Sequence, residues 1–235
     1  ESEVASYRLW LSIQYFVSFI FNQLFIIRVR MNTPAKSSNT STSTDNAPNV
    51  SIAVIFHSNY GHTKRVAEAI VQGAHQQLPE AQAKAVDVYD VDWDYLDQAD
   101  LLVFGSAVYM GSVTAEFKTF MDETSKRWYH RKWEGKWAAA FANSGGLSGD
   151  KLAVLQQISL YAMQHGMNWI GLPLMPTGHE AHDLNRLSSF LGLMTQSLDG
   201  PPEETPGSGD IDTAIWFGDH LAKTIIKHQP ADAKL

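Results

Sequence analysis

Three short apolar runs, at residues 51–56, 101–105 and 137–142, each end in a small polar or glycine-containing segment that leads into a helix-forming stretch. Continuous apolar runs of this length suit strands covered on both faces. The stretch after the first run, 63–77, reads as an amphipathic helix. After the second, Val113, Phe117, Phe120, Met121 and Thr124 share one face at helical spacing, predicting a helix near 113–125. After the third, 150–165 reads as a helix. A more exposed strand is expected at 83–88, a connecting segment at 91–98, a fifth strand at 168–172 and a last helix over 211–228. Strands alternating with helices, each crossover long enough for a right-handed βαβ unit, specify an α/β fold: an open, doubly wound parallel sheet with helices on both faces. In such sheets ligands sit beyond the carboxyl ends of the strands. The three polar segments all follow strands, so they converge on one edge.

The first segment is Ser58-Asn59-Tyr60-Gly61-His62-Thr63. It opens a helix whose first N–H groups lack partners and carry the positive end of the macrodipole, a natural seat for phosphate. Ser58 and Thr63 add hydroxyls, and Gly61 permits a sharp turn. Lys64 and Arg65 stand in the first turn, where the dipole disfavours cations unless an anion is close. The plain alternative is a strand–helix turn with hydroxyl caps and two solvated basic side chains. The second segment brings Tyr109, Met110 and Gly111 and few ionisable groups; the third, 143–149, offers backbone N–H groups and small side chains. Together they suit a flat conjugated ring with a phosphate tail. A Walker lysine pattern, an acidic metal pair beside the loop and a dinucleotide glycine fingerprint are all missing from the sequence at this point.

A net charge of −7 argues against nucleic acid as the main partner. The absence of cysteine excludes disulfides, thiolate metal sites and cysteine nucleophiles, and fits the cytoplasm. Residues 9–27 are largely apolar and long enough to span a bilayer, with Arg28, Arg30 and Lys36 following. A signal anchor, an amphipathic surface segment, and upstream sequence outside the working protein all fit; the last is favoured because Met31 opens a plausible start. Membrane contact is expected only if 9–27 is retained. Three domains follow: 1–30 apolar, 31–49 a disordered linker rich in Ser, Thr, Asn and Pro, and 50–230 the folded domain. Residues 173–206 read as a long irregular stretch with room for a short helix around 186–195. His179, Glu180, His182 and Asp183 lack metal-ligand spacing and read as loop polarity.

The combination Ser58…Tyr60-Gly61-His62-Thr63, then Phe104-Gly105-Ser106-Ala107-Val108-Tyr109-Met110-Gly111…Phe117-Lys118-Thr119-Phe120-Met121-Asp122, then Asn143-Ser144-Gly145-Gly146 and His165-Gly166-Met167, resembles the flavodoxin-like FMN proteins. In particular it is similar to WrbA-type NAD(P)H:quinone oxidoreductases and NADPH-dependent FMN reductases. The resemblance covers about 50–228 and implies a five-stranded sheet of order 2-1-3-4-5, non-covalent FMN, NAD(P)H as co-substrate, two-electron reduction of a quinone, and a homodimer or homotetramer. By resemblance, residues 58–63 (Asn59 among them) match the phosphate loop. Ser106 to Gly111 match the segment beside the flavin ring. Asn143, Ser144, Gly145, Gly146, Leu147, Ser148 and Gly149 match the loop along its edge. His165 matches a family histidine, and Trp128 falls where the family has an aromatic near the flavin face. The run Ala107-Val108-Tyr109-Met110 departs from the Thr/Pro-Thr-Arg-Phe type common in WrbA.

Each assigned role has a plainer rival. His165 is either a donor near the flavin's pyrimidine edge or a helix-end histidine satisfying a carbonyl or the dipole. Trp128 either stacks on nicotinamide or quinone or belongs to a surface or subunit interface. Arg127, Arg131 and Lys132 either attract the 2′-phosphate of NADPH or form a solvated basic face. For the whole chain the rivals to an oxidoreductase are an electron-carrier flavodoxin without its own small substrate and a phosphate-loop fold without flavin that serves as a binding or scaffold module.

Overall fold

The computed structural model describes residues 49–229; the apolar segment 9–27 and the polar stretch up to 48 lie outside the described residues. In chain order the strands are β1 (Ile52–Phe56), β2 (Ala83–Asp87), β3 (Leu101–Tyr109), β4 (Ser112–Val113), β5 (Trp137–Ser144), β6 (Asn168–Trp169) and β7 (Leu193–Gln196). The helices are α1 (His62–Ala74), α2 (Trp93–Gln98), α3 (Ala115–Glu123), α4 (Ser125–Tyr129), α5 (Lys151–Gln164) and α6 (Ser208–Lys227).

Every residue of β1 is buried, because its alternate side chains enter different cores. Ile52, Val54 and Phe56 pack with Val66 and Ile70 of α1 and Phe217 and Leu221 of α6. Ala53 and Ile55 pack on the other face with Phe117 and Phe120 of α3 and Leu155 and Ile158 of α5. The sheet runs β2-β1-β3-β5-β6, all parallel, which is the doubly wound order expected. It is the flavodoxin-like α/β arrangement. α1 and α6 touch backbone to backbone: a Cβ on Gly73 would lie 1.9 Å from the Ile215 carbonyl oxygen, and one on Gly218 1.9 Å from that of Ile70.

Four local expectations need correction. The fifth strand is not continuous over 168–172. Only Asn168 and Trp169 enter the ladder, opposite Trp137 and Ala138, and the upper half of the same row is β7, opposite Phe141 to Ser144. Pro173 has no N–H for a ladder, and Leu172 N–H donates instead to the Phe190 carbonyl. No helix forms at 186–195: Ser188 has φ +53°, a left-handed break, and Leu193 and Thr195 then point inward at strand spacing. The segment after Gly105 is strand rather than loop, continuing to Tyr109 and returning through β4. Met110 and Gly111, with φ +49° and +74°, form a two-residue hairpin turn between them. The connection at 91–98 contains α2, started by the Asp92 side chain accepting from Tyr95 N–H at 3.0 Å. Among the described residues no helix is long and apolar enough to cross a membrane.

Candidate functional site

The carboxyl ends of β1, β3, β5 and β7 surround a cavity of about 550 Å³. It is lined by Ser58, Asn59, Tyr60, His62 and Thr63, by Ala107, Val108 and Tyr109, by Asn143, Ser144 and Gly145, and by Ser197, Leu198, Asp199 and Gly200. The parallel register puts Phe56, Gly105 and Phe141 level with one another, which is why the three segments that follow meet.

α1 begins here. Its cap residue, Gly61, has φ +88° and no side chain to cover the first N–H groups. A Cβ at Gly61 would lie 3.0 Å from Pro202 Cγ, so the chain segment 197–207 closes tightly over this turn. His62 Nε2 meets the Gly200 carbonyl at 2.9 Å, and Arg65 donates to the carbonyls of Pro202 and Pro206. The first-turn cation Arg65 is therefore committed to that strap, and Lys64 pairs along the helix with Glu68 at 3.8 Å.

The third segment is fixed from below. Asn143 Oδ1 accepts from the hydroxyls of Thr195 (2.8 Å) and Ser197 (3.0 Å), which leaves its amide NH₂ as the remaining donor. Gln196 donates to the Gly145 carbonyl at 2.9 Å. Tyr60 and Tyr109, both exposed, bring aromatic rings to the cavity from two different segments.

Of the residues singled out in the sequence, Gly61, Ser106, Met110, Gly111, Gly146, Leu147, Ser148 and Gly149 do not line this cavity. Gly61 and Gly149, both at positive φ, shape their turns. Ser106 is buried and its hydroxyl accepts from Thr114 N–H at 3.1 Å. Met110 is fully exposed at the hairpin tip. Ser197, Leu198, Asp199 and Gly200 were missed. Their only signal was the turn sequence Asp199-Gly200-Pro201, because their position depends on β7 pairing with the end of β5.

His165 and Trp128 stand elsewhere. α5 has 14 residues and runs back from the third segment, so His165 at its far end is about 20 Å away along the helix axis. The two residues line a second cavity of about 400 Å³ with Lys118, Gln157 and Tyr161. Thr124 donates its hydroxyl proton to Met121 O at 2.6 Å and accepts from Tyr161 at 2.9 Å, so His165 Nε2–H donates to it at 3.0 Å. Nδ1 then has no hydrogen-bond partner. Burial, with the Arg131 charge adding to it, pushes His165 down to about 4, so the ring is neutral near pH 7. Within one chain His165 therefore stands apart from the cavity at the ends of β1, β3 and β5, and its neutral ring is not a capping cation.

The basic group is also spoken for. Arg127 donates to Asp97 at 2.9 Å and stacks over Trp93 at 4.1 Å. Lys132 reaches the same carboxylate at 3.1 Å, and Arg131 pairs with Glu134 at 2.8 Å. Burial works to raise Asp97, but hydrogen bonds from Arg127, Trp133 and Lys132 outweigh it and hold the carboxyl below its usual range. The cluster at 179–183 is a turn: Asp183 accepts from Glu180 N–H and the Thr177 hydroxyl.

The family model for NADPH-dependent FMN reductase matches residues 50–180. The chain belongs to that family. Its flavodoxin-like branch is evident in its relatives. The chain is 38% identical over 173 residues to flavodoxin FldP of Pseudomonas aeruginosa, covering 72% of this chain and 94% of that protein. It is 29% identical over 199 residues to an NAD(P)H dehydrogenase (quinone) of Archaeoglobus fulgidus, covering 75% and 97%. A solved WrbA-like flavodoxin from Agrobacterium tumefaciens superposes with a TM-score of 0.61 at 33% identity, covering 77% of this chain and all of that one.

As a member of the FMN reductase family the protein is an NAD(P)H-dependent flavin oxidoreductase with FMN as cofactor. The cavity fits that group on its own evidence. It joins an open helix N-terminus for a phosphate, two exposed tyrosines for a planar ring, and amide donors for a polar ring edge, in a volume typical of ligand sites.

Proposed function

We propose that the protein reduces quinones by two electrons at the expense of NAD(P)H, with FMN held in the cavity between the ends of β1, β3 and β5. The observation that carries this reading is the coincidence of α1's uncovered N-terminus with Tyr60 and Tyr109 on one cavity. The first-turn N–H groups and the hydroxyls of Ser58 and Thr63 would hold the phosphate. Tyr60, Tyr109 and Val108 would flank the ring system, and Asn143, Ser144 and Gly145 would meet its polar edge. The strap 197–200 would exclude water from the phosphate side. FMN, when bound, supplies hydride acceptance and release.

NAD(P)H dehydrogenase (quinone) relatives at 26–29% identity support the quinone as acceptor. The flavodoxin relative from Pseudomonas aeruginosa, at 38%, supports a second reading, an electron carrier that hands electrons to a protein partner. Self-association is also part of our reading. The outer stripe of α5, Leu152, Gln156, Leu160 and Met163, is uncharged, and Trp128 is exposed on neighbouring α4. His165 and Trp128 could then act only towards a ligand held by another copy.

Anaerobic spectroscopy tests the acceptor. Protein loaded with FMN is mixed with NADPH and then with benzoquinone. Bleaching followed by stoichiometric recolouring is expected. FMN uptake without bleaching by either NADPH or NADH would replace this reading with the carrier.

A further inference from the structure

Lys151 is the first residue of α5, its side chain is fully buried, and nothing in the reading above employs it. Both facts are unfavourable for a lysine. A cation in a first helical turn opposes the macrodipole, and burial strips its hydration. The offset is local. Nζ donates to Ser144 Oγ and to the Gly146 carbonyl, each at 2.7 Å. The Ser144 hydroxyl in turn donates to that same carbonyl at 3.1 Å. This closed set of three hydrogen bonds staples the third segment from beneath. A Cβ on Gly149 would lie 2.0 Å from Ser144 Oγ, so the turn is closed down on the staple as well. Ser144 and Gly145 form the cavity wall above it.

We propose that Lys151 is a positioning residue for the flavin: its ammonium shapes the 143–149 segment and sets a buried positive charge behind the cavity wall that favours the electron-rich, reduced cofactor. The inference rests on the flavin-site reading given above. A charge screened by protein rather than water acts over such a distance with more effect than a surface lysine. The other charged groups acting on it are Asp210 in the first turn of α6 and Arg186 in the stretch between β6 and β7, and Asp150 precedes it in the chain. Asp210 and Arg186 are paired with each other at 2.8 Å, so neither is a free counter-ion. Burial pushes Lys151 down to about 8, with Asp210 opposing and Arg186 adding to the fall. The charge is present below that pH and lost above it. Reduction of a nearby cofactor favours the protonated lysine, and by linkage the protonated lysine favours reduction.

The test compares wild type, K151M and K151R, each checked for folding by circular dichroism. FMN affinity is read from flavin fluorescence, and the two-electron midpoint potential is measured across the range from pH 6 to 10. K151M is expected to bind FMN about tenfold more weakly. If the reduced form loses a further tenfold relative to the oxidised form, the potential falls by about 30 mV. The wild-type potential should fall more steeply with pH above about 8 than that of K151M. K151R keeps its charge throughout and should retain the potential without the extra slope. Should K151M not fold, the wild-type and K151R pH profiles decide alone. Equal affinity, potential and slope in the proteins compared would overturn the lysine inference while leaving the flavin site standing. Wild type that takes up no FMN would overturn the site itself, and the inference with it.

Discussion

Arg65 Nη1 donates to the Pro202 carbonyl at 2.8 Å across 137 residues of chain. A basic side chain in the first turn of α1, where the dipole would reject it, is thus employed to hold the strap over its own helix start. Its second bond, to the Pro206 carbonyl, is 3.0 Å long. R65M should release the strap and leave the sheet intact. Hydrogen bonds from a charged donor contribute about 1.5–3 kcal/mol each, so FMN affinity should drop roughly tenfold or more. Limited proteolysis should nick the variant near 199–204 faster than wild type. Unchanged affinity and cleavage would show that the strap holds without Arg65.

Gly73 and Gly218 let α1 and α6 approach through their backbones. G73A places a methyl group against the Ile215 carbonyl, 1.9 Å from its oxygen, so one helix must move. A loss of about 2–4 kcal/mol is expected, in the range of severe core overpacking. For a domain of this size Tm should fall roughly 5–15 °C. Thermal unfolding of the variant followed by circular dichroism reads this directly.

Much of this arrangement was written in local pattern. β1, the glycine turn and α1 are legible because an apolar run, a residue tolerant of positive φ and a 3.6-residue period stand next to each other. The convergence of three segments followed from parallel topology alone. The strap was not legible, because residues 197–200 reach the cavity only through β7, a four-residue strand separated from its row-mate β6 by the long irregular stretch 170–192. His165 is a different case. The motif identified it as a helix-end histidine, but a helix that starts at the cavity must end away from it, so the sequence does not tell whether the residue serves the cavity of its own chain or that of another copy. Lys151 left no signal at all, since a lysine opening a helix ordinarily reads as solvated.

His165 is buried and neutral in the fold, whereas a histidine in the unfolded chain titrates near 6.5. Its contribution to stability is complete above that pH. Between about 6.5 and 4 the unfolded chain takes up a proton that the folded one refuses, so stability falls as the solution is acidified. Urea unfolding should show a loss of about 2 kcal/mol between about pH 7.5 and pH 5 from this group. H165Q, whose amide can still donate to Thr124, should lose less over the same interval. His220 is also lowered by burial and titrates in both proteins, so the difference between the two curves isolates His165. Parallel curves would mean that His165 accepts a proton without strain.

The uncharged outer face of α5 predicts self-association. Leu160 is 70% exposed at its centre. L160E adds a charge there without touching either core. Light scattering after size exclusion should report an oligomer for wild type and a smaller species for the variant. A wild-type monomer would remove the oligomer from the proposed function.

Tyr60 and Tyr109 enter the cavity from the loop before α1 and from the end of β3, and each is free of the hydrophobic cores. Substituting either one should therefore leave folding nearly unchanged, which makes them clean probes of the cofactor. A ring that stacks on a tyrosine gains about 0.5–1.5 kcal/mol beyond simple burial. Y60A and Y109A should each weaken FMN binding roughly three- to tenfold and brighten the bound flavin, because a stacked phenol quenches its fluorescence. The double variant separates two geometries. If both rings flank the same flavin independently, the two losses should add; if one tyrosine orders the other, the second substitution should do little once the first is made. A flavin that binds equally well and no brighter in all three variants would leave the two tyrosines at the cavity mouth and remove them from the ring site.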